Sequence, residues 1–289
     1  MNLILQGTST ERTTIERIAA MAEAKNLVAI HANAYRCEDI SYSDELKTRI
    51  EAESHAAQLD AAFMPPNLAL SDFKLVAMDM DSTLITIECI DEIADMQGLK
   101  PQVAAITEAA MRGEIAFRES LTRRVALLEG LDAGALQRVY DERLQLSMGA
   151  EAMLTALKAA GLKTLLVSGG FTFFTDRMKT RLGLDITHAN VLEIKDGKLT
   201  GRVVGGIVDA EEKKATVERT CAALGISPAE AIVMGDGAND LKMMGIAGLS
   251  VAFRAKPIVR VQADVALNFV GLDGVLTLFG QLPSQMTSA

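Results

Sequence analysis

Two aspartates stand one residue apart where a short apolar segment ends. The residues LVAM at positions 75–78 are apolar and bounded by polar residues, which predicts a buried β-strand, and Asp79 and Asp81 follow them. In extended backbone, residues i and i+2 face the same side, so the two carboxylates would share one space. Two such anions raise each other's pKa unless a cation or a shared proton relieves the repulsion. A polar strand end before a Ser-Thr turn also explains the pair, so the choice rests on the remaining sequence.

Two further polar clusters follow apolar runs farther along the chain. One run ends in Ser168-Gly169, and another leads into the sequence GDGAND at positions 235–240, which contains Asp236. In open α/β sheets, ligands bind beyond the carboxyl ends of the strands. Asp236 can therefore join the two aspartates of the first strand around a hard divalent cation, and Mg²⁺ suits carboxylate, carbonyl, water and phosphate oxygens. Glycines after separate strands serve as ordinary turn residues or let backbone N–H groups approach an anion.

The apolar runs themselves predict the parallel sheet that would position these residues. They lie at positions 75–78, 164–169, 231–236, 249–253 and 264–269, with helical segments between them. This alternation is typical of β-α units around a parallel sheet. Residues 88–150 carry apolar residues at helical spacing without a strand pattern, so we expect an all-helical cap over the carboxyl edge. The catalytic core would then comprise residues 74–87 and 151–289, with a type I′ hairpin at Asp196-Gly197.

Residues 1–73 form a separate small α+β module in this interpretation. The pattern predicts a strand at 2–7, a helix at 12–26, a strand at 27–35 and a charged helix at 43–63. Pro65-Pro66 ends that helix and indicates a linker. Since the module contains no candidate catalytic residue, its deletion should leave activity measurable. By analogy with other small modules, we expect it to bind a regulatory amino acid or to mediate a homodimer.

Composition and charge narrow the class of protein. The chain has 289 residues, 49% of them hydrophobic, and a formal charge of −9 that argues against nucleic acid as a partner. No apolar run approaches the length of a membrane span, and the N-terminus lacks the features of a secretory signal. The three cysteines are widely spaced, which indicates reduced thiols. We therefore expect a cytoplasmic protein that binds a small molecule and has no nucleic-acid or membrane partner.

The strand-end residues and their order resemble the haloacid dehalogenase (HAD) superfamily of phosphatases over about residues 74 to 280. The first motif, DxDx(T/V), stands as DMDST at positions 79–83, the second as Ser168, the third as Lys213 and the fourth as GDGAND. The resemblance implies an α/β fold with a Rossmann-like parallel sheet and an inserted helical cap. Within the superfamily, the segments DSTLITIE, FRESLTRRVALLEGL, VSGGF and GDGANDL resemble the branch that hydrolyses phosphoserine, the last step of serine biosynthesis.

The resemblance also implies a mechanism and a cofactor. Asp79 would be the nucleophile that forms an aspartyl-phosphate, and Asp81 would donate a proton to the leaving serine and later accept one from water. Mg²⁺ would be held by Asp79, by the carbonyl of Asp81 and by Asp236, with Asp240 orienting the site from behind. The protein would thus be a magnesium-dependent phosphoric monoester hydrolase.

Substrate binding follows from the same resemblance. The residues that would hold the phosphoryl oxygens are Ser168, Gly169 through its N–H, and Lys213, while Asn239 would contact the phosphate or the amino-acid end. Glu88 would face the substrate ammonium and Arg124 its carboxylate, since the planar guanidinium matches a carboxylate with two hydrogen bonds. Lys214 and Arg123 are the neighbouring alternatives for the two cations.

Three other functions use the same motifs in whole or in part. A superfamily phosphatase for another small phosphoester and a phosphotransferase that passes the phosphoryl group to an alcohol such as homoserine both fit every motif. A signalling receiver that holds an aspartyl-phosphate would explain an acidic Mg²⁺ site. It would explain neither the cap nor a second aspartate placed to hydrolyse the intermediate.

Overall fold

The computed structural model describes residues 1–112 and 114–280, which form two β-sheets and the helices around them. The strands are β1 (Asn2–Gly7), β2 (Asn26–His31), β3 (Ala34–Glu38), β4 (Leu59–Met64), β5 (Leu75–Met78), β6 (Lys163–Phe171), β7 (Ile186–Lys195), β8 (Lys198–Val204), β9 (Ala231–Gly235), β10 (Leu249–Phe253) and β11 (Val265–Leu267). The helices are α1 (Arg12–Met21), α2 (Asp44–Ala56), α3 (Cys89–Asp95), α4 (Lys100–Met111), α5 (Phe117–Ala126), α6 (Gly134–Glu142), α7 (Ala150–Ala159), α8 (Thr172–Leu182), α9 (Ala210–Leu224), α10 (Leu241–Met244), α11 (Pro257–Gln262) and α12 (Gly274–Thr277).

The larger sheet has seven strands in the order β11-β10-β9-β5-β6-β7-β8. Neighbouring strands from β11 to β7 pair in parallel, and β8 at the edge is antiparallel to its neighbour β7. Every residue of β5, β9 and β10 is buried, because the sheet has a core cluster on each face. The predicted fold class, a mostly parallel α/β sheet with a small N-terminal module, is therefore confirmed. No helix among the described residues combines the length and the apolar character needed to cross a membrane.

Five helices, α3 to α7, lie between β5 and β6, and the first four, α3 to α6, lie where the sequence predicts a helical cap. The two connections that join this insertion to the sheet bind each other. Thr86 N–H donates to the carbonyl of Gln145 at 2.9 Å, and Ser147 N–H donates to the carbonyl of Leu84 at 3.0 Å. Both connections therefore enter the insertion side by side, directly beyond the turn that carries the two aspartates.

The predicted hairpin between β7 and β8 also forms hydrogen bonds with this insertion. Asp196 and Gly197 have φ angles of 52° and 76°, and two positive values are what a type I′ turn requires, so that prediction is confirmed. The N–H of Ala133 donates to the Gly197 carbonyl, and the N–H of Leu199 donates to the Leu131 carbonyl, each at 2.8 Å. The hairpin thus holds the loop between α5 and α6 against the edge of the sheet.

The N-terminal predictions were wrong in three places. The helix predicted at 12–26 ends at Met21, and the strand predicted at 27–35 is a hairpin of β2 and β3. The helix predicted at 43–63 ends at Ala56, after which residues 59–64 form strand β4. The helix ends near Gln58, which takes a left-handed φ of 56°, so no glycine marks this stop in the sequence. Strand β4 then pairs with β1 along six residues, so long-range pairing outweighs the helical propensity of this alanine-rich stretch. The resulting antiparallel sheet has the order β2-β3-β1-β4.

The N-terminal sheet shares its core with the rest of the protein. Ile4, Ala62 and Met64 belong to the same buried apolar cluster as residues of the large sheet and of the cap helices. The Asp60 carboxylate, 1% exposed, accepts the backbone N–H groups of three consecutive residues after β11, at 2.7, 3.0 and 3.1 Å. Gln6 donates to the carbonyl of Gly274 at 3.1 Å. Deleting residues 1–73 would therefore expose apolar surface that is now buried, and measurable activity after that deletion stays a prediction.

The predicted domain division stays a prediction, because shared packing does not by itself define independent folding units. Pro65 and Pro66 are exposed, as the linker interpretation expects. Residues 281–289, the end of the predicted core segment, lie outside the described residues.

Candidate active site

The carboxyl ends of β5, β6 and β9 open into one cavity of about 960 Å³, roofed by the cap helices. From the side of the sheet it is lined by Asp79, Asp81, Ser168, Gly169, Gly170, Asp236, Asn239 and Lys256, and from the side of the cap by Glu88, Asp91, Thr107, Phe117 and Arg124. The structure therefore brings together nearly all of the site residues expected from the sequence. The exceptions are Lys213 and Asp240, which lie behind the cavity wall.

A tight turn directs the two aspartates into the cavity. Strand β5 ends at Met78, so the pair follows the strand, and the residues Met80–Leu84 form a turn of π-helical type. Asp81 is extended within this turn, and Ser82 takes a φ of 56°, a conformation that is uncommon for a residue with a side chain. The Ser82 hydroxyl donates to Glu88 at 2.9 Å. The turn thus positions Glu88 at the rim of the cavity as well as the two aspartates.

Lys213 is a fully buried cation beside the first aspartate. Its Nζ lies 2.8 Å from Asp79 Oδ2 and 2.7 Å from Asp240 Oδ1. Burial by itself lowers the pKa of Lys213, but the charges of Asp240 and Asp79 outweigh burial and leave that pKa raised. The alternative, Lys214, is partly exposed and lies 3.7 Å from Glu218 on the surface of α9. The structure therefore places Lys213 and not Lys214 at the site.

Asp240 fixes the loop after β9. Its Oδ2 accepts the N–H groups of Asp236 at 3.2 Å and Gly237 at 3.0 Å, while its Oδ1 accepts from Lys213. A Cβ atom at Gly235 would lie 2.4 Å from the same carboxylate, so this close approach requires glycine. Since both oxygens of Asp240 are engaged, its geometry suits the orienting role expected from the sequence.

The charge balance of this cluster suits a divalent cation. Carboxylate oxygens of Asp79, Asp236 and Asp240 lie within 4.8 Å of one another. Burial, and then the charge of Asp240, raise the pKa of Asp79 well above its usual range and the pKa of Asp236 to about 7. Three carboxylates face the single buried charge of Lys213, which leaves two negative charges to be balanced. Oxygen donors with this charge are the ligands that Mg²⁺ prefers, and a bound cation would lower both pKa values.

Asp81 occupies a different environment from Asp79. Its Oδ2 accepts the Cys89 N–H at 3.3 Å, and its Oδ1 is buried without a hydrogen-bond partner. Burial, and then the negative charge of Glu88, raise the pKa of Asp81 to about 8. Burial raises the pKa of both carboxyl groups, but Asp79 lies against the Lys213 ammonium, whereas the largest charge effect on Asp81 is the negative charge of Glu88. Asp81 is therefore the better placed of the two to hold a proton and donate it. Two carboxyl groups with different surroundings can serve as nucleophile and acid.

The end of β6 offers backbone and hydroxyl groups to an anion. Ser168 is fully buried, and its Oγ accepts the Gly170 N–H at 2.9 Å. A Cβ atom at Gly169 would lie 3.1 Å from the ring of Phe117, so the cap closes tightly over this glycine. Asn190 donates to the Gly169 carbonyl at 2.7 Å and holds that peptide in place. No local pattern pointed to Asn190, because its role depends on a contact 21 positions away in the chain.

The cap side of the cavity carries charges of both signs. Arg124 lines the cavity, and its Nε is buried without a hydrogen-bond partner. Burial lowers the pKa of Arg124, and the nearby carboxylates oppose that effect. Its neighbour Arg123 is exposed and forms an ion pair with Glu119 at 2.5 Å, so the structure places Arg124 in the site. Glu88 is exposed at the rim, which leaves its charge accessible to an entering ligand.

Several cavity residues were not predicted from the sequence, including residues with charged or hydroxyl groups. Asp91 and Thr107 face the cavity from α3 and α4, and Lys256 reaches it from the start of α11. The Lys256 N–H also donates to the Asp236 carbonyl at 3.0 Å. Helical spacing could have put Asp91 on the inner face of α3, since the buried residues Ile90, Ile93 and Ala94 flank it.

Comparison with known proteins gives consistent matches. The model of the haloacid dehalogenase-like hydrolase family matches residues 73–248. Phosphoserine phosphatase from Polaromonas sp. (strain JS666) is 62% identical over 218 residues, which cover 74% of this chain and 92% of that protein. A HAD family hydrolase from Salmonella enterica serovar Typhi has a TM-score of 0.86 at 34% identity, with 96% of this chain and 98% of that chain covered. A probable phosphoserine phosphatase from Vibrio cholerae has a TM-score of 0.82 at 34% identity, with 99% and 89% covered. The chain therefore belongs to the haloacid dehalogenase-like hydrolase family.

Proposed function

We propose that this protein hydrolyses O-phospho-L-serine to L-serine and phosphate through an aspartyl-phosphate on Asp79. The observation that carries the proposal is a roofed cavity lined by the carboxyl pair from the side of the sheet and by Arg124 and Glu88 from the side of the cap. A monoester that is also a zwitterion presents a phosphate to the sheet side and two opposite charges to the cap side. The identity to curated phosphoserine phosphatases supports the same substrate. The reaction would release serine as the last step of its biosynthesis.

The first chemical step transfers the phosphoryl group to the protein. A carboxylate oxygen of Asp79 attacks phosphorus, the bond between phosphorus and the serine oxygen breaks, and the serine oxygen leaves. An alkoxide is a poor leaving group, so a proton must reach it as the bond breaks. Protonated Asp81 supplies that proton, which its raised pKa supports.

The second step returns the protein to its starting state. Asp81 is now ionised and removes a proton from a water molecule, whose oxygen attacks the phosphorus of the aspartyl-phosphate. The bond between phosphorus and Asp79 breaks and inorganic phosphate forms. Ser168 and the Gly169 N–H hold the phosphoryl oxygens in both steps, Lys213 contributes its positive charge from beside Asp79, and Asn239 contacts the phosphate from the loop after β9. Lys213 is held in place for this role by its ion pair with Asp240.

Mg²⁺ is the cofactor that the acidic cluster supports. Asp79, the Asp81 carbonyl and Asp236 would hold the ion, with Asp240 fixing the loop behind it. When bound, the divalent cation supplies positive charge that reduces the repulsion between the nucleophile and the phosphate.

Binding of Mg²⁺ should be measurable without any turnover. A ligand that binds only the folded state adds about 2.7 kcal/mol to the free energy of unfolding at a hundredfold excess over its Kd. For a chain of this size we expect the thermal midpoint to rise by roughly 5 °C. Asp236→Asn should lose this shift, and Asp95→Asn on the outer part of α3 should retain it, with differential scanning fluorimetry as the measurement. An undiminished shift in Asp236→Asn would contradict the proposed ion site.

Substrate selectivity should depend on Arg124. Removing a charged hydrogen-bonding partner from a closed site costs on the order of 2–5 kcal/mol, or roughly 30- to several-thousand-fold in kcat/KM. Arg124→Ala should show this loss on phosphoserine and little loss on an aryl phosphate, which has no carboxylate to bind. Arg123→Ala, which removes a neighbouring exposed cation, is the matched control and should leave both substrates unaffected. Glu88→Gln should show the same selectivity with a smaller loss.

The decisive experiment for the proposed function is phosphate release from a panel of phosphomonoesters with Mg²⁺ present. Phosphoserine should give the highest kcat/KM among phosphoserine, phosphothreonine, phosphoethanolamine and an aryl phosphate. A higher value for another ester would assign the site to that ester. Added homoserine should not divert phosphate into a new ester, whereas a phosphotransferase would form one. A receiver would incorporate phosphate once without turnover.

A further inference from the structure

Buried polar atoms without partners are concentrated in the active-site cavity. Within residues 1–112 and 114–280, five buried side-chain nitrogen or oxygen atoms have no hydrogen-bond partner. Four of them belong to residues that line the cavity, namely Asp81 Oδ1, Asp91 Oδ1, Thr107 Oγ1 and Arg124 Nε. More than nine in ten buried polar groups in folded proteins are hydrogen-bonded, so such a cluster indicates groups that gain partners when a ligand arrives.

Asp91 and Arg124 are complementary members of this cluster. One offers an acceptor oxygen and the other a donor nitrogen, and both line the same cavity from the helices α3 and α5 of the cap. Asp91 is also the carboxylate with the largest favourable effect on the charge of Arg124, ahead of Glu88 and Asp81. Those other two carboxyl groups already have roles in the proposed function, and Asp91 has none.

We propose that Asp91 is a positioning residue for the substrate carboxylate, and that its Oδ1 accepts a hydrogen bond from Arg124 Nε when the substrate binds. This inference rests on the proposed function. A guanidinium can present two nitrogen atoms to a carboxylate while its Nε–H donates in another direction. In the structure the two atoms do not yet bond each other. Once the Nε–H donates to Asp91 on substrate binding, the two terminal nitrogen atoms of Arg124 face the substrate in a fixed orientation. Asp91 thereby determines selectivity without touching the substrate.

The charge on each side of Arg124 supports this arrangement. The guanidinium is largely buried, and an isolated charge in a buried environment is costly. Before substrate binds, Asp91 balances it, and after binding the guanidinium lies between two carboxylates. The alternative that Asp91 itself binds the substrate ammonium makes a different prediction, because Arg124 would then have no part in the effect of Asp91.

The test compares Asp91→Asn with wild type on three substrates that differ in their charged groups. Phosphoserine has both charges, O-phospho-3-hydroxypropionate only the carboxylate, and phosphoethanolamine only the ammonium. Asparagine can still accept a hydrogen bond but carries no charge, and loss of a charge-assisted hydrogen bond corresponds to about 10- to 100-fold. We expect KM to rise by that factor on the two carboxylate substrates, with kcat within about threefold and phosphoethanolamine unchanged. For an analogue that is not turned over, the inhibition constant replaces KM.

Two further variants separate positioning from a structural role. Asp91→Glu keeps the negative charge that Asp91→Asn removes, and it should recover part of the lost affinity. In an Arg124→Ala background, Asp91→Asn should cause no additional loss, since its effect passes through Arg124. Asp95→Asn, on the same helix but outside the cavity lining, is the control and should behave as wild type.

The contrary outcomes are distinct from one another. Equal losses on all three substrates, no loss at all, or full additivity with Arg124→Ala would overturn the positioning role. A loss on phosphoserine and phosphoethanolamine that spares the carboxylate-only ester would assign Asp91 to the ammonium and also overturn it. Wild-type protein without activity on phosphoserine would contradict the proposed function itself, which separates the two failures.

Discussion

Asp79→Asn is expected to abolish turnover of phosphoserine, with a loss on the order of 10⁵-fold or more. Asparagine has nearly the same shape, but its amide oxygen is not a carboxylate nucleophile, so no aspartyl-phosphate can form. The substitution also weakens the contact with Lys213 Nζ, which lies 2.8 Å from Asp79 Oδ2 in the wild-type protein. The measurements are phosphate release and acid-precipitated, hydroxylamine-sensitive phosphate on the protein after mixing with labelled phosphoserine.

Both readouts should disappear together in Asp79→Asn. Asp95→Asn serves as the control for a charge change elsewhere in the same region, and circular dichroism shows whether each variant is folded. Phosphate that still attached covalently to the Asp79→Asn variant would show that another residue is the nucleophile.

Asp81→Asn is expected to slow phosphoserine hydrolysis by about 10²- to 10⁴-fold, the usual contribution of a positioned proton donor and acceptor. The asparagine cannot protonate the departing serine oxygen, so the first step becomes slow. An aryl phosphate releases a phenolate that needs no proton, and its first step should hardly change. The second step still lacks a base, so the aryl substrate should give a rapid burst of one equivalent followed by slow turnover.

Stopped-flow measurement of phenolate release tests this difference between the two steps. The burst amplitude should equal the concentration of active sites, and phosphoserine should show no burst in the same variant. If the first turnover of the aryl phosphate slowed as much as that of phosphoserine, Asp81 would not be the leaving-group acid. Its burial beside Glu88 would then have a structural purpose.

The general location of the site could be predicted because it follows from topology. Parallel strands end at the same edge of a sheet, so polar residues after β5, β6 and β9 had to meet there. The choice between adjacent cations could not be made from spacing alone. Lys213 and Lys214 differ by about 100° around a helix, as do Arg123 and Arg124, and only the packing of α9 and α5 determines which side chain faces inward. Family resemblance selected the member of each pair that the structure places at the site.

The N-terminal sheet and several cavity residues could not be predicted, since they depend on long-range partners. The alanine-rich segment 59–64 satisfies a helical pattern locally, and only pairing with β1 makes it a strand. Asp91 and Thr107 look like ordinary helix residues until three cap helices bring them into one cavity with Arg124. Local patterns therefore predicted elements and strand ends, while side chains that meet across elements required the structure.

The hydrogen bonds of Asp60 can form only late in the synthesis of the chain. The N–H groups that donate to the Asp60 carboxylate lie 208 to 210 residues farther along the chain. The carbonyl that accepts from Gln6 lies 268 residues farther along. At translation rates of 5–20 residues per second, Asp60 waits about 10–40 s for those donors to leave the ribosome. During that interval the inner face of the first sheet has Ile4, Ala62 and Met64 exposed, since their partners are not yet made. The nascent chain therefore exposes part of this apolar face until α12 has been synthesised, and the contacts that cover it join residues far apart in the sequence.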